Sequence, residues 1–305
     1  MTGATVPDKV SLPYLRARKR RGQPITMLTA YDHPTAVLQD RAGIHIVFVG
    51  DSVGTNLLGY ASPQQVTMED MLHHARAVRR GVERALFVVD MPFMSYQISV
   101  QKAVHNAGRL VQQAGAEAVK LEGGREILPQ IRAIARCGIP VMGHLGFTPQ
   151  SGSSPNYVYS DRRGTVPRYQ GRDGQSAASI LDEALRVEQS GAFALVLELV
   201  TEEAARAVAE RLSIPVIGIG AGRYCDGQVL TCTDVLGYSG LQLRLARAYA
   251  GFRQTAADAF RAYREDVEAR RFPGEEHLQH MEPDQLASFQ ALLQDRAQAT
   301  LPPRD

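Results

Sequence analysis

Eight short apolar runs recur along the chain, and they constrain its fold more than anything else in the sequence. They are ITMLTAYD (25–32), HIVFVGDS (45–52), ALFVVDMP (85–92), AVKLEGG (118–124), PVMGHLG (140–146), ALVLELV (194–200), PVIGIGAG (215–222) and QVLTCTDVLG (228–237). Their apolar residues are nearly continuous rather than alternating. Such strands are buried on both faces, which calls for a parallel sheet covered by helices. The intervening segments supply the helices. SPQQVTMEDMLHHARAVRRG (62–81) places Pro63 near a helix start and Gly81 past its end. SVQKAVHNAGRLVQQAG, REILPQIRAIARCG, AASILDEALRVEQSG and TEEAARAVAERL have the same period, and several close on glycine. Eight such units between residues 25 and 237 predict a closed α/β architecture, a (β/α)8 TIM barrel, in preference to an open doubly wound sheet.

A chain of 305 residues, 44% apolar and 22% charged, can bury a core of that size. We expect one barrel domain over 1–305, with its core at about 23–240 and a C-terminal helical segment and tail over 241–305. In that segment LRLARAYAGFRQTAADAFRAYREDVEARRF (243–272) reads as helix, and PDQLASFQALLQDRAQ forms another beyond the polar hinge FPGEEH. Between the fifth and sixth runs, SGSSPNYVYSDRRGTVPRYQGRDG (151–174) has no clear period and reads as a long loop that would cover a barrel mouth.

Charge and cysteine content exclude several classes of function. Thirty-four Lys plus Arg against 32 Asp plus Glu leave a net charge of +2, with no surplus for nucleic acid or an acidic membrane. The one local excess, RARKRRG (16–22), reads as a solvated face. No apolar run approaches the roughly 20 residues that span a bilayer. The start MTGATVPDKVSLPYLRARKRR lacks the apolar stretch of a secretory leader, so a cytoplasmic location is expected. Cys137, Cys225 and Cys232 form neither an even set nor a CxxC pair, which argues against a disulfide framework or a zinc site.

The active site of a (β/α)8 barrel forms at the C-terminal strand ends. Asp32, Asp51, Asp90, Glu122 and Glu198 all stand at or near such ends, joined by Lys120 and His144. Any one carboxylate would serve equally well as a turn or cap residue. Five on one rim would repel and raise one another's pKa, so together they require a cation. Oxygen donors without a His/Cys cluster select a hard divalent ion, Mg2+ ahead of Mn2+ or Ca2+. A 2-oxo acid, with two oxygens to offer, would complete the shell of such an ion. Lys120 and Glu122, two residues apart, share one face of their strand. The glycines of GIGAG (218–222) lack GxGxxG spacing and a following P-loop lysine, and read as close backbone packing.

VGDSVG (49–54), VDMPFM (89–94), VKLEGG (119–124), GHLGFTPQS (143–151), LVLELV (195–200), IPVIGIGAG with DGQ (214–228) and PGEEH (273–277) occur in order and with sensible spacing. Together, from about residue 9 to 277, they resemble the ketopantoate hydroxymethyltransferase (3-methyl-2-oxobutanoate hydroxymethyltransferase) family. The resemblance implies a barrel of the phosphoenolpyruvate/pyruvate type with extra C-terminal helices. It implies transfer of a hydroxymethyl group from 5,10-methylenetetrahydrofolate to 3-methyl-2-oxobutanoate, giving 2-dehydropantoate on the route to pantothenate and coenzyme A. Mg2+ would be held by Asp51 and Asp90, with Glu122 as a third metal-linked carboxylate. Asp51, Ser52, Asp90, Lys120 and His144 would face the substrate, Ser52 and Lys120 at its carboxylate. Glu198 would accept the C3 proton, desolvated by Leu197, Leu199 and Val200 so that its pKa rises toward working pH. His144 would orient the oxo acid or move a proton. A homo-oligomer, a decamer, is also implied. Nothing in local spacing marks a folate pocket.

The chain departs from the family pattern after GHLGFTPQS, where only YQGR (169–172) of the usual lead is kept. A different lid leaves open a related hydroxymethyltransferase or aldolase acting on another 2-oxo acid. A Mg2+-dependent carbon–carbon lyase of the isocitrate lyase or phosphoenolpyruvate mutase type uses a similar barrel but generally carries a catalytic cysteine loop. No Cys occurs between 138 and 224. A silent scaffold barrel would have no need of Asp51, Asp90, Glu122 and Glu198 together.

Overall fold

A computed structural model of the chain describes residues 7–151, 158–161, 164–238 and 245–299. It contains two compact units, Met1–Gly251 and Phe252–Asp305. The strands are β1 (Ile25–Thr29), β2 (Ile46–Val49), β3 (Leu86–Asp90), β4 (Ala118–Glu122), β5 (Val141–Gly146), β6 (Val158–Asp161), β7 (Gly164–Pro167), β8 (Ala194–Glu198), β9 (Val216–Ile219) and β10 (Gly227–Leu230). All except β6 and β7 close into one parallel barrel in the order β1-β10-β9-β8-β5-β4-β3-β2. The barrel expectation holds.

The continuous apolar runs are explained by the two clusters they feed. Met27, Ile46, Phe48, Val88, Ala118, Met142, Val196, Ile217 and Val229 point inward and fill the barrel. Their neighbours Val47, Val49, Phe87, Val89, Val119, Leu121, Leu195 and Leu197 point outward and pack under the helices. Both faces of β2, β3, β4, β5, β8 and β9 are therefore withdrawn from water, at about 25 cal/mol per Å² of apolar surface, while β1 and β10 leave Thr26 and Gln228 exposed.

The first unit's helices are α1 (Leu12–Arg20), α2 (His33–Arg41), α3 (Met68–Arg79), α4 (Val100–Ala114), α5 (Leu128–Arg136), α6 (Gly174–Gln189), α7 (Glu202–Arg211) and the short α8 (Cys232–Val235). Several details differ from the sequence expectation. Pro63 belongs to a separate 3-10 turn, Pro63–Gln65, and α3 begins at Met68 behind a Thr67–Asp70 capping box. The eighth run divides, because Thr231 Oγ1 accepts the Asp234 N–H at 3.3 Å and starts α8. Asp32 caps α2, its carboxylate accepting the Thr35 N–H at 2.8 Å and the Thr35 hydroxyl at 3.0 Å. The basic run is not all solvated, because α1 packs against the barrel. Lys19 Nζ donates to Ala209 O at 2.7 Å and meets Asp226 Oδ2 at 2.6 Å.

The segment expected as a plain loop contains the antiparallel hairpin β6–β7, with Val158 opposite Pro167. In the second unit are α9 (Phe252–Glu268) and α10 (Pro283–Ala299). Residues 245–251, expected to be helical, run without helix ahead of α9, and 243–244 lie outside the described residues.

Candidate active site

Strand register assembles the site. Asp90 is paired with Lys120 across β3 and β4, Glu122 with His144 across β4 and β5, and Gly146 with Glu198 across β5 and β8. Asp51 lies two residues past β2, in the turn that leads into a five-residue π-helix, Gly54–Leu58. π-Turns of this kind recur at functional sites. The end of β8 is bent as well. Leu199, next to Glu198, has φ 48°, the left-handed region that costs a side-chain-bearing residue energy and gathers at active sites. Gly146, at φ 93°, lies so close to the Glu198 carbonyl that a Cβ there would collide with it.

Asp51, Ser52, Asp90, Lys120, Glu122, His144 and Glu198 all line one cavity of about 130 Å³ at the barrel mouth. Asp90 Oδ2 accepts the Asp51 N–H at 3.1 Å, and Asp90 Oδ1 meets the Lys120 ammonium at 2.8 Å. Lys120 Nζ is 3.5 Å from Glu122 Oε1 and 3.1 Å from His144 Nδ1. His144 Nδ1 lies 3.2 Å from Glu122 Oε1, while its Nε2 faces Glu198 Oε2 at 3.4 Å. The imidazole thus stands between two carboxylates. Lys120 also lies over the Phe48 ring, 5.4 Å from its centroid.

These groups are buried with less positive charge than negative, and their pKa values follow. Burial raises Asp51 well above the carboxylate range, with Asp90 and Glu122 adding repulsion. Burial likewise lifts Asp90 to about 6, Lys120 opposing and Glu122 reinforcing the rise. Burial would raise Glu122 too, but Lys120 and His144 hold it down at about 2. His144 is lowered by burial and by Lys120, yet Glu122 and Glu198 carry it up to about 9. Glu198 is the most exposed carboxylate of the group, its side chain 19% exposed. Leu197, its neighbour on β8, points to the other face of the strand and packs under the helices.

Mg2+ fits this donor set. Asp51 Oδ1 accepts no hydrogen bond among the described residues, and Asp90 Oδ1 meets only the Lys120 ammonium there. Glu122, in contrast, has Oε2 engaged by the Gln150 N–H at 3.0 Å and Oε1 by Lys120 and His144. Among the described residues no three His, Cys, Asp or Glu side chains form a ready cage. Mg2+ is an ion that keeps waters and takes substrate oxygens around one or two carboxylates.

Sequence reasoning missed three residues. Gln150 Nε2 donates to Asp51 Oδ2 at 2.9 Å. The Tyr96 hydroxyl lies 2.7 Å from Gln150 Oε1 and 2.9 Å from Glu122 O. Tyr31 Oη pairs with Ser52 Oγ at 2.9 Å and accepts from Asn56 Nδ2 at 3.1 Å. None is ionised at neutral pH; Tyr31 does follow β1 by two residues, but gave no charge to mark it, and Gln150's only signal was its place in GHLGFTPQS.

A closed parallel barrel whose mouth gathers carboxylates, one ammonium and one imidazole is an enzyme of the (β/α)8 class. Its fold is that of the phosphoenolpyruvate mutase/isocitrate lyase group: a phosphonopyruvate hydrolase structure superposes with TM-score 0.56 at 13% identity, covering 94% of this chain and 96% of that one. For a 2,3-dimethylmalate lyase the TM-score is 0.52 at 16% identity, with 96% and 100% covered.

Sequence comparison narrows the class. The ketopantoate hydroxymethyltransferase family profile matches residues 9–275, and the chain belongs to that family. It is 47% identical over 271 residues to the 3-methyl-2-oxobutanoate hydroxymethyltransferase of Moorella thermoacetica, covering 88% of this chain and 97% of the relative. With the enzyme of that name from Chloroflexus aurantiacus it shares 46% identity over 293 residues, 96% and 99% of the two chains.

Proposed function

We propose that the cavity at the barrel mouth carries out its family's reaction: transfer of a hydroxymethyl group from 5,10-methylenetetrahydrofolate to 3-methyl-2-oxobutanoate, giving 2-dehydropantoate. The observation that carries this reading is the meeting of Asp51, Asp90, Lys120, Glu122, His144 and Glu198, drawn from five strands or their ends, around one small cavity.

Asp51 and Asp90 hold Mg2+, which when bound stabilises negative charge developing on the keto oxygen, a Lewis-acid effect of several kcal/mol. Ser52 and Lys120 hold the substrate carboxylate from the same rim. Glu198, facing the cavity and partly open to it, takes the C3 proton. His144, 3.4 Å away, steadies the Glu198 carboxylate and the substrate. Glu122 stays inside as the anion that fixes Lys120 and His144, and would be the third carboxylate beside the metal. The resulting enolate carbon bonds to the methylene carbon carried by the folate; both bonds from that carbon to the folate nitrogens break, one water supplies the new hydroxyl, and tetrahydrofolate leaves with its nitrogens taking up the proton lost from C3 and one from the water.

Exchange of the C3 proton of 3-methyl-2-oxobutanoate into deuterium oxide, followed by proton NMR with Mg2+ and with or without tetrahydrofolate, tests enolisation apart from transfer. Exchange that depends on protein and Mg2+ is expected; its absence under both conditions refutes the assignment.

No described helix is long and apolar enough to cross a membrane. We assign the protein to the cytoplasm, to be checked by cell fractionation. We also assign it the family's decameric assembly. Support comes from α9, which buries none of its side chains, with Phe260 74% and Tyr263 62% exposed. Light scattering on the purified protein measures the assembly directly.

A further inference from the structure

Gln150 lies four residues past β5 and is 1% exposed. Its Nε2 donates to Asp51 Oδ2 and to Met91 O, both at 2.9 Å. Its Oε1 faces the Tyr96 hydroxyl at 2.7 Å and Gln97 Nε2 at 3.3 Å. The backbone joins the same network: the N–H donates to Glu122 Oε2 at 3.0 Å, and the carbonyl accepts from Gln64 Nε2 at 2.7 Å. A glutamine side chain has two N–H donors and one oxygen with two lone pairs, so all of its capacity is used. This also fixes the orientation of the amide, since a flip would aim Oε1 at a carboxylate and a carbonyl.

Gln150 is not among the residues that line the cavity. It nevertheless ties together the segments that follow β2, β3 and β5 and the last residue of β4. Its contact with Asp51 uses one carboxylate oxygen, and Oδ1 has no hydrogen bond among the described residues. A carboxylate pinned through one oxygen cannot swing about χ2, so its other oxygen is oriented before any ion arrives. Orienting partners of this sort are typically worth about 10–100-fold in metal affinity.

We propose that Gln150 is a positioning residue for the metal site: by engaging Asp51 Oδ2 it presents Oδ1 to the divalent cation, and Tyr96 in turn holds Gln150. This rests on the reading of Asp51 as a metal ligand.

The test uses the whole protein and Mn2+ as the probe, with free Mn2+ followed by electron paramagnetic resonance. Gln150→Met keeps the side-chain volume and removes both donors; Mn2+ affinity should fall about tenfold or more. Tyr96→Phe removes only the hydroxyl and should weaken Mn2+ about two- to fivefold, the smaller loss expected one contact further out. In both variants kcat at saturating Mg2+ should stay within about threefold of wild type, while the Mg2+ needed for half-maximal C3 exchange rises in step with Mn2+ affinity. A Mn2+ affinity in Gln150→Met within twofold of wild type overturns the proposal. If circular dichroism shows that this variant fails to fold, Tyr96→Phe decides alone, and unchanged affinity there overturns it. Wild-type protein that binds Mn2+ without catalysing exchange would sink the proposed reaction but leave the Gln150 test standing; wild-type protein that does not bind Mn2+ would sink both.

Discussion

Asp90→Asn turns the crowding of buried carboxylates into a measurable pH dependence. Asp90 is fully enclosed, and its pKa is raised from 3.8 to about 6, mainly by burial. A carboxyl group with a raised folded-state pKa contributes stability that is present below its unfolded pKa and lost as pH rises through the folded one. A shift of about two units corresponds to about 3 kcal/mol, lost between roughly pH 4 and pH 6. Asparagine keeps the size and the oxygen that faces Lys120 but does not titrate. The opposite contribution of Glu122, present above about pH 4.5 and lost as pH falls toward its folded value of about 2, is shared by both proteins. It largely cancels when they are compared. Urea unfolding of wild type and variant, with chelator, at steps from about pH 4 to 7 should therefore show wild type losing about 3 kcal/mol relative to the variant. Saturating Mg2+ should return about that much to wild type at neutral pH, since a ligand at 100 times its Kd adds about 2.7 kcal/mol, and should return much less to the variant. A wild-type-minus-variant difference flat to within about 1 kcal/mol over this range would refute the account of Asp90 as a buried, cation-seeking carboxylate.

Glu198→Gln should slow C3 proton exchange about a hundredfold or more, as loss of a general base does, while Mn2+ affinity measured by paramagnetic resonance stays within about twofold. Lys120→Met should cost about 3–5 kcal/mol in urea unfolding, because it leaves Asp90 and Glu122 without their buried cation; the same variant should show a raised KM for the oxo acid in steady-state assays. Gly146→Ala should lower the melting temperature and reduce turnover together, since its Cβ would press on the Glu198 carbonyl at a φ of 93°, whereas Gly138→Ala, also at positive φ but with open space around it, should lower the melting temperature alone.

The barrel was legible because strand burial on two faces leaves a continuous apolar signature, which survives even where the strands are only four residues long, as in β2 and β9. Strand-end carboxylates were legible for the same reason: a charged residue closing an apolar run has few places to go. Asp32 shows the limit of that rule. It stands three residues past its strand where Asp51 stands two past its own, and the Thr35 that follows three residues later makes it a cap. Lys19 was hidden for a related reason, since a lysine inside RARKRRG looks like its neighbours until the fold brings Asp226 to within 2.6 Å. Tyr96 gave no signal, and Gln150 none beyond its place in GHLGFTPQS, because their roles depend on contacts across sequence separations of 54 and 99 residues. No local pattern encodes those distances.

The cost of the site explains why its parts occur together. An isolated buried carboxylate is destabilising by several kcal/mol unless it is paired, and here Lys120 alone is adjacent to Asp90, Glu122 and His144. One ammonium cannot neutralise Asp51, Asp90 and Glu122, so Asp51 and Asp90 remain under-compensated and their pKa values rise. Glu122, held ionised by Lys120 and His144, is already satisfied and gains least from a further cation. The electrostatics therefore separate the three carboxylates into an under-compensated pair and a third held ionised, a division that matches the roles proposed for them. A barrel without a catalytic cation would gain stability by replacing Asp51 and Asp90 with apolar residues of similar volume. Both instead stand on the rim, one of them pinned by a fully satisfied glutamine, an arrangement whose cost the proposed metal site would offset.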